Sequence, residues 1–333
     1  MSRNFSIHDH FQHVAAAHCP EYRFDGNNRE DWSAWRAELL PQLKDRLGSL
    51  PDKVPLRPDV VVEWEEGGLI KQRVVFDVEK GLSVPAYVFR PTEGRGPFPG
   101  ILACHGHGPY GKDSVMGTAA AAEGGTGRSA HKNAYGLEMA RSGFAVIAID
   151  WRGFGERDDR GKPHWRNYAG DRDLCNLHFL RASLLGQTML GLNVHDGMCA
   201  LDYLCGLDYV DETRIGAMGL SLGGTMTTWM SIMDERIRAA DIICYSDRFA
   251  DFAMRDCNFC GNQMLPKLYA LCDVPDLQGL IAPRPLLVEI GVHDQCFLVD
   301  SAKSCFDELV KIYEACGADD LLELDLFEGE HRW

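Results

Sequence analysis

Arg214-Ile215-Gly216-Ala217-Met218-Gly219-Leu220-Ser221-Leu222-Gly223-Gly224-Thr225-Met226-Thr227-Thr228-Trp229-Met230-Ser231-Ile232-Met233 is the stretch that decides how this chain folds. After the arginine, residues 215–220 are apolar or small throughout, as in a strand covered by helices on both faces. Residues 225–233 suit a helix. Between them, Gly219-Leu220-Ser221-Leu222-Gly223 is a G-x-S-x-G in the strand–turn–helix setting that a nucleophile elbow requires. Such a turn is crowded and strained. Glycines at 219 and 223 let neighbouring backbone approach while the Ser221 hydroxyl projects above the sheet. The bland alternative is a glycine-rich turn carrying a surface serine.

Outward from this point the same strand pattern recurs. Runs at 98–106 (FPGILACHG), 144–151 (FAVIAIDW) and 284–291 (RPLLVEIG) are apolar on nearly every residue, and ADIICYS at 240–246 and LLELDLF at 321–327 complete the series. Helical candidates separate them: NAYGLEMARSG at 133–143, LNVHDGMCALDYLCG at 192–206, and SAKSCFDELVKIYEACG at 301–317 with Gly317 as its stop. Strand–helix alternation of this kind predicts a mostly parallel, doubly wound α/β sheet with ligands bound beyond the strand C-termini. Upstream, DVVVEWEE, LIKQRVVFDVE and LSVPAYVFRP between residues 59 and 91 have the alternation of antiparallel strands leading into that sheet. Residues 1–55 read as an N-terminal helical appendage, its helix at 31–50 stopped by Pro51, and residues 56–333 as the catalytic domain. Two connections, 106–133 and 152–185, are long enough to be loop insertions over the site.

A serine hydroxyl at neutral pH needs a base, and the base needs an orienting acid. After the elbow the order expected is acid, then histidine. Only His293 and His331 lie downstream of Ser221. His331, in EGEHRW after the last strand, is the expected general base. Asp294, in GVHDQCF after the strand ending at Gly291, is the expected acid, with Asp247 as its rival; the competing reading of Asp294 is a turn-forming aspartate. The oxyanion needs two backbone donors. One is expected from Leu222, the other from the loop Cys104-His105-Gly106-His107-Gly108, with the His107 amide first and Gly106 next. His105 and His107 as a metal pair compete with this reading, but no further ligands stand at metal spacing. Trp165, Tyr245, Arg255 and Phe259 are the expected substrate-pocket residues.

Composition narrows the function classes. With 34 Lys+Arg against 49 Asp+Glu the net charge is −15, which disfavours phosphate backbones and anionic membranes as partners. The N-terminal stretch MSRNFSIHDHFQHVAAAHC is charged and histidine-rich, unlike a secretory leader, and no run approaches a membrane span. A cytoplasmic protein is expected, its 12 cysteines reduced. Cys104, Cys199, Cys205, Cys244 and Cys272 sit in apolar runs, and the pair Cys257/Cys260 in CNFC lacks a second ligand pair, so it reads as structural or incidental. No metal and no cofactor is expected; the partner is a small-molecule ester, and a homo-oligomer is compatible with the sequence.

The motifs together resemble the α/β-hydrolase superfamily, and within it the branch of acetyl xylan esterases and dienelactone hydrolase-like serine esterases. The resemblance covers residues 55–333 and rests on HGHG at 105–108, DWRGFGER at 150–157, the run into RIGAMGLSLGG, IAPRPLLVEIGVHD at 281–294 and the terminal EGEH. It implies the α/β-hydrolase fold, Ser221, Asp294 and His331 as the triad, and Arg152 as a structural arginine beside the site. Dienelactone hydrolases carry cysteine where this chain has Ser221, and xylan deacetylases carry RGQ where it reads Arg152-Gly153-Phe154, so the resemblance speaks for fold and mechanism rather than substrate. The expected activity is carboxylic ester hydrolysis with a short acyl group. A C–C bond hydrolase or acyltransferase using the same triad is the alternative, and a binding protein on this scaffold is a distant third.

Overall fold

The computed structural model describes residues 3–94, 96–118, 133–159 and 174–333. Among these residues nine strands form one sheet: β1 (Asp59–Glu66), β2 (Leu69–Glu79), β3 (Leu82–Pro91), β4 (Phe98–Cys104), β5 (Ala145–Ile149), β6 (Val210–Leu220), β7 (Ile237–Ile243), β8 (Leu286–Gly291) and β9 (Leu322–Phe327). Their spatial order is β1-β2-β3-β5-β4-β6-β7-β8-β9. The first three pair antiparallel, β3 joins β5 antiparallel, and every pairing from β5 to β9 is parallel. This is the α/β-hydrolase fold expected from the sequence. The reversal of order at β5-β4-β6 places the ends of β4 and β6 side by side, where a doubly wound sheet opens a crevice.

The strand pattern follows from two-sided burial. Along β5 every residue of Ala-Val-Ile-Ala-Ile is buried, with Val146 and Ala148 facing one apolar cluster and Ala145, Ile147 and Ile149 facing another. Helices cover both faces: α1 (Ile7–Ala16), α2 (Arg29–Arg46), α3 (Tyr135–Arg141), α4 (Leu174–Leu184), α5 (Met189–Cys205), α6 (Leu222–Met233) and α7 (Val299–Cys316). α3 packs on the face that carries Ile101, Ala103, Met218 and Leu220; α5, α6 and α7 pack on the other. None of the described helices is long and apolar enough to cross a membrane.

α2 starts where Asn28 accepts from the amides of Glu30 and Asp31. It lays Trp35, Leu39 and Leu43, spaced four apart, into the main core. The helix ends at Arg46 rather than at Pro51, because Gly48 turns the chain with φ +81° and bridges to Gln187. Pro41, which lies inside it, does not end it. The 152–185 connection is not all loop: its last part is α4, tied to the segment at 261 by the bond from Gly261 N to Asn176 Oδ1, 2.8 Å.

Candidate active site

Ser221 sits between β6 and α6 with φ +62° and ψ −121°, a conformation that costs a non-glycine residue about 1–3 kcal/mol and persists only where its surroundings enforce it. The enforcement is steric. A Cβ on Gly219 would lie 2.4 Å from the Gly223 carbonyl oxygen, and one on Gly223 would lie 2.0 Å from that of Cys104. The Ser221 amide donates to the Ile243 carbonyl at 3.0 Å, which fastens the elbow to the neighbouring strand. Tyr135 braces it from below. Its hydroxyl donates to the Cys104 carbonyl and accepts from the Leu220 amide, joining the C-terminal ends of β4 and β6.

His331 reaches the site from the loop after β9, with Nδ1 2.8 Å from Asp294 Oδ2. The other Asp294 oxygen accepts from the amides of Cys296 at 2.7 Å and Phe297 at 3.1 Å. Burial raises the Asp294 pKa, but the bond to His331 and these two amides outweigh it and hold the carboxyl below the usual aspartate range. With Nδ1 committed to the acid, Nε2 is the nitrogen left for Ser221, and both residues line one cavity. The imidazole stacks on Phe297 with centroids 5.8 Å apart, which fixes the ring plane. Gly291 makes the approach of the last loop possible, since a Cβ there would lie 2.6 Å from the Glu330 carbonyl oxygen. His293 instead meets Glu328 at the surface, 3.2 Å away.

Asp247, the rival acid, faces elsewhere. It is fully buried, accepts from the Arg248 amide at 2.6 Å and from the Ser301 hydroxyl, and burial pushes its pKa up to about 7. It makes no bond to His331. It does not cap the following helical segment (Phe249–Arg255) either, which has no side-chain cap.

Gly106 and His107 both line the cavity beside Ser221. Leu222 opens α6, so its amide is among those that have no acceptor within the helix. The Gly106 backbone lies close enough that an added Cβ would meet the Leu220 carbonyl oxygen at 2.9 Å and Ser221 Cβ at 3.5 Å. His105 sets the orientation of this loop. Its Nε2 accepts from the Trp151 amide at 3.0 Å, so Nδ1 carries the proton and donates to the Gly106 carbonyl at 2.7 Å. Because the peptide is planar and trans, pinning the Gly106 carbonyl aims the His107 N–H the opposite way. Burial lowers the His105 pKa to about 4, which keeps the ring neutral. Both its nitrogens are engaged, so a His105–His107 metal pair is not formed.

Two charge clusters hold the insertions at their roots. Lys112, fully buried, reaches Asp150 Oδ2 at 2.9 Å and Glu156 Oε1 at 2.7 Å, and Asp150 Oδ1 accepts from its amide at 2.8 Å. Gly111 leaves room for this, because a Cβ there would lie 2.1 Å from Asp150 Oδ1. Arg152 donates to both oxygens of Asp196, at 2.8 and 2.7 Å, and to Glu79, so it is a structural arginine behind the site.

The cavity measures about 550 Å³. Besides Ser221 and His331 its lining includes the apolar Phe259 and Phe297 and the polar Asn133, Asn258 and Gln263. Of the expected substrate residues, only Phe259 is placed here. Tyr245 is a correction: it is 1% exposed and packs on Phe252 and Phe297 beneath α6, where Gly224 leaves room for it. Arg255 is another, drawn to the surface by Asp251 and Asp256 at 2.7 and 2.8 Å. Trp165 lies outside the described residues. Asn258, Gln263 and Phe297 were not singled out in the sequence, because they carry no motif and reach the cavity only through packing.

The Abhydrolase family model matches residues 2–312 of this chain. The "Putative hydrolase YtaP" of Bacillus subtilis (strain 168) is 31% identical over 291 residues, covering 86% of this chain and 90% of that protein. Among solved structures, a "putative acetyl xylan esterase" from Bacteroides fragilis NCTC 9343 superposes with a TM-score of 0.78 at 19% identity, covering 98% of this chain and 83% of the other. A glucuronoyl esterase from Solibacter usitatus gives 0.65 at 15% identity, covering 92% and 90%. At those identities the two structures speak for the fold alone. The family match and the B. subtilis relative, taken with the sheet order and the elbow, make this chain a member of the Abhydrolase family.

Proposed function

We propose that the protein is a serine-dependent carboxylic ester hydrolase. The observation that carries this reading is the 2.8 Å bond between His331 Nδ1 and Asp294 Oδ2, on a histidine that shares its cavity with a serine held at a strained elbow. In the reaction, His331 Nε2 takes the Ser221 proton as Oγ attacks the acyl carbon. The amides of Leu222 and His107 receive the oxyanion. His331 then protonates the departing alcohol, and water, deprotonated by the same nitrogen, releases the acid from the acyl-enzyme. Asp294 stays ionised and stabilises the imidazolium.

The cavity supports a short acyl group and a polar alcohol. Phe259 and Phe297 offer flat apolar surface, and Asn133 and Asn258 add polar amide groups to the same lining. The esterase names of the structural neighbours agree with this reading, as does the hydrolase name of the B. subtilis relative. The deciding experiment is labelling with a fluorophosphonate followed by peptide mapping. Modification of Ser221, with turnover of short-chain p-nitrophenyl esters falling as chain length grows, is expected; a protein that neither takes the label nor turns over any ester of the panel would overturn the proposal.

A further inference from the structure

His107, Cys175 and Cys260 stand far apart in the chain yet converge at one wall of the cavity. Their donor atoms all lie within 4.8 Å of one another, with His107 Nε2 3.1 Å from Cys260 Sγ. Both cysteines are buried, at 2% and 5% exposure, and His107 opens to the cavity. Neither cysteine is in a disulfide. Cys257, the other cysteine of CNFC, is exposed and is not part of this group.

We propose that these three residues form a binding site for a single Zn²⁺-class ion. Two thiolates and one imidazole are the donor set of a borderline-soft cation, and Cys₂His with an open fourth position is an established zinc arrangement. In a tetrahedral zinc site, neighbouring ligand atoms stand about 3.5–3.8 Å apart, so the His107–Cys260 pair needs to open by only about 0.5 Å. On binding, the two thiols release their protons to solvent, and the resulting pair of negative charges balances the dication. The fourth position faces the cavity along His107, which gives the ion its entry path and lets water complete the coordination.

The surroundings are built to hold these ligands. Asn262, fully buried, places Nδ2 3.6 Å from Cys175 Sγ, where it donates to the thiolate, and its Oδ1 is buried without a partner among the described residues. Gly261 N donates to Asn176 Oδ1 at 2.8 Å, which locks the Cys260 segment to the start of α4, where Cys175 lies. A bound ion therefore ties three segments together: the loop after β4, α4 and the chain at 256–263. A second group of donors, Cys244, Asp294 and His331, contains the acid–base pair already assigned.

The test uses full-length protein, reduced and stripped of metal, then titrated with Co²⁺ and with Zn²⁺. About one equivalent of Co²⁺ should bind with a thiolate-to-cobalt charge-transfer band and the intense visible bands of tetrahedral coordination. Cys175→Ser and Cys260→Ser should each lose most of that band. Zn²⁺ should displace the Co²⁺ and raise the Tm of the wild type by roughly 3 °C or more. Cys244→Ser and His331→Ala, checked for folding by circular dichroism, should keep both responses. Binding below about 0.2 equivalents, a band unchanged in both cysteine variants, or a band lost in His331→Ala instead would each overturn the proposal. So would a Cys175–Cys260 disulfide forming in the presence of saturating Zn²⁺. None of these readings depends on esterase activity, so the metal site and the proposed function stand or fall separately.

Discussion

The Trp151 amide lies 3.0 Å from His105 Nε2, and this bond settles which ring nitrogen of His105 faces the Gly106 carbonyl as a donor. A histidine outside the proposed reacting set thereby orients the Gly106–His107 peptide, whose amide is proposed above as an oxyanion donor. His105→Phe keeps the ring volume and removes both bonds. It should lower kcat by about 10²-fold with KM nearly unchanged, because an oxyanion donor acts in the transition state. Steady-state kinetics on a short-chain ester measures this, and an unchanged kcat would remove His105 from the site.

The same substitution should alter stability against pH. Burial depresses the His105 pKa to about 4, below the value near 6.5 of an unfolded histidine. The unfolded chain therefore binds the proton first, and stability is lost as pH falls from about 6.5 toward 4. The phenylalanine variant should lack this contribution. Urea melts at pH 7 and pH 5 should show a smaller difference for the variant than for wild type.

Ser221→Ala should abolish turnover with little change in Tm, since the hydroxyl opens on the cavity and the glycines around it carry the turn. Removing the last three residues, His331-Arg332-Trp333, should be as damaging to activity as His331→Ala. An active truncation would require a base other than His331.

The two candidate acids separate cleanly. Asp294→Asn keeps its shape yet should lose roughly 10⁴-fold in turnover, as in a comparable triad. Asp247→Asn should leave turnover close to wild type. It should also stabilise the protein at pH 8 relative to pH 5: burial raises the Asp247 pKa to about 7, so the native carboxyl holds its proton longer than the unfolded one, and stability is lost as pH rises from about 4 to 7. The gain at pH 8 should be of the order of 2–4 kcal/mol. Equal stability differences at the two pH values would show that Asp247 titrates normally.

The elbow glycines are a steric requirement rather than a preference. Gly223→Ala would bring a Cβ within 2.0 Å of the Cys104 carbonyl oxygen, against backbone that cannot move without shifting β4. A loss of more than about 3 kcal/mol is expected. Gly206→Ala at the end of α5, where the nearest atom stands 3.3 Å away and φ is −79°, should stay within about 0.5 kcal/mol. Denaturant melts of the two variants give the contrast.

Features that depend on near neighbours in the chain are legible from the order of residues alone. Strands buried on both faces must be apolar on successive residues, so β4, β5, β8 and the second half of β6 were legible as runs, and an elbow that admits no Cβ at 219 or 223 had to show two glycines. The order serine, acid, histidine along the chain pointed to His331 and to Asp294 with Asp247 as its rival, and only the bond to His331 Nδ1 separates the two acids. The remaining features depend on how distant segments pack. Tyr245 lies next to the end of β7 yet points under α6, an outcome of side-chain direction that no motif records. Asn258, Gln263 and Phe297 reach the cavity through segments without regular periodicity. By spacing Cys260 pairs only with Cys257, its neighbour in sequence; its partners in space are His107 and Cys175, brought to it by the end of β4 and the start of α4. Local sterics write themselves into adjacent residues, whereas convergence of distant segments is a property of packing, and packing is recorded nowhere in the order of the chain.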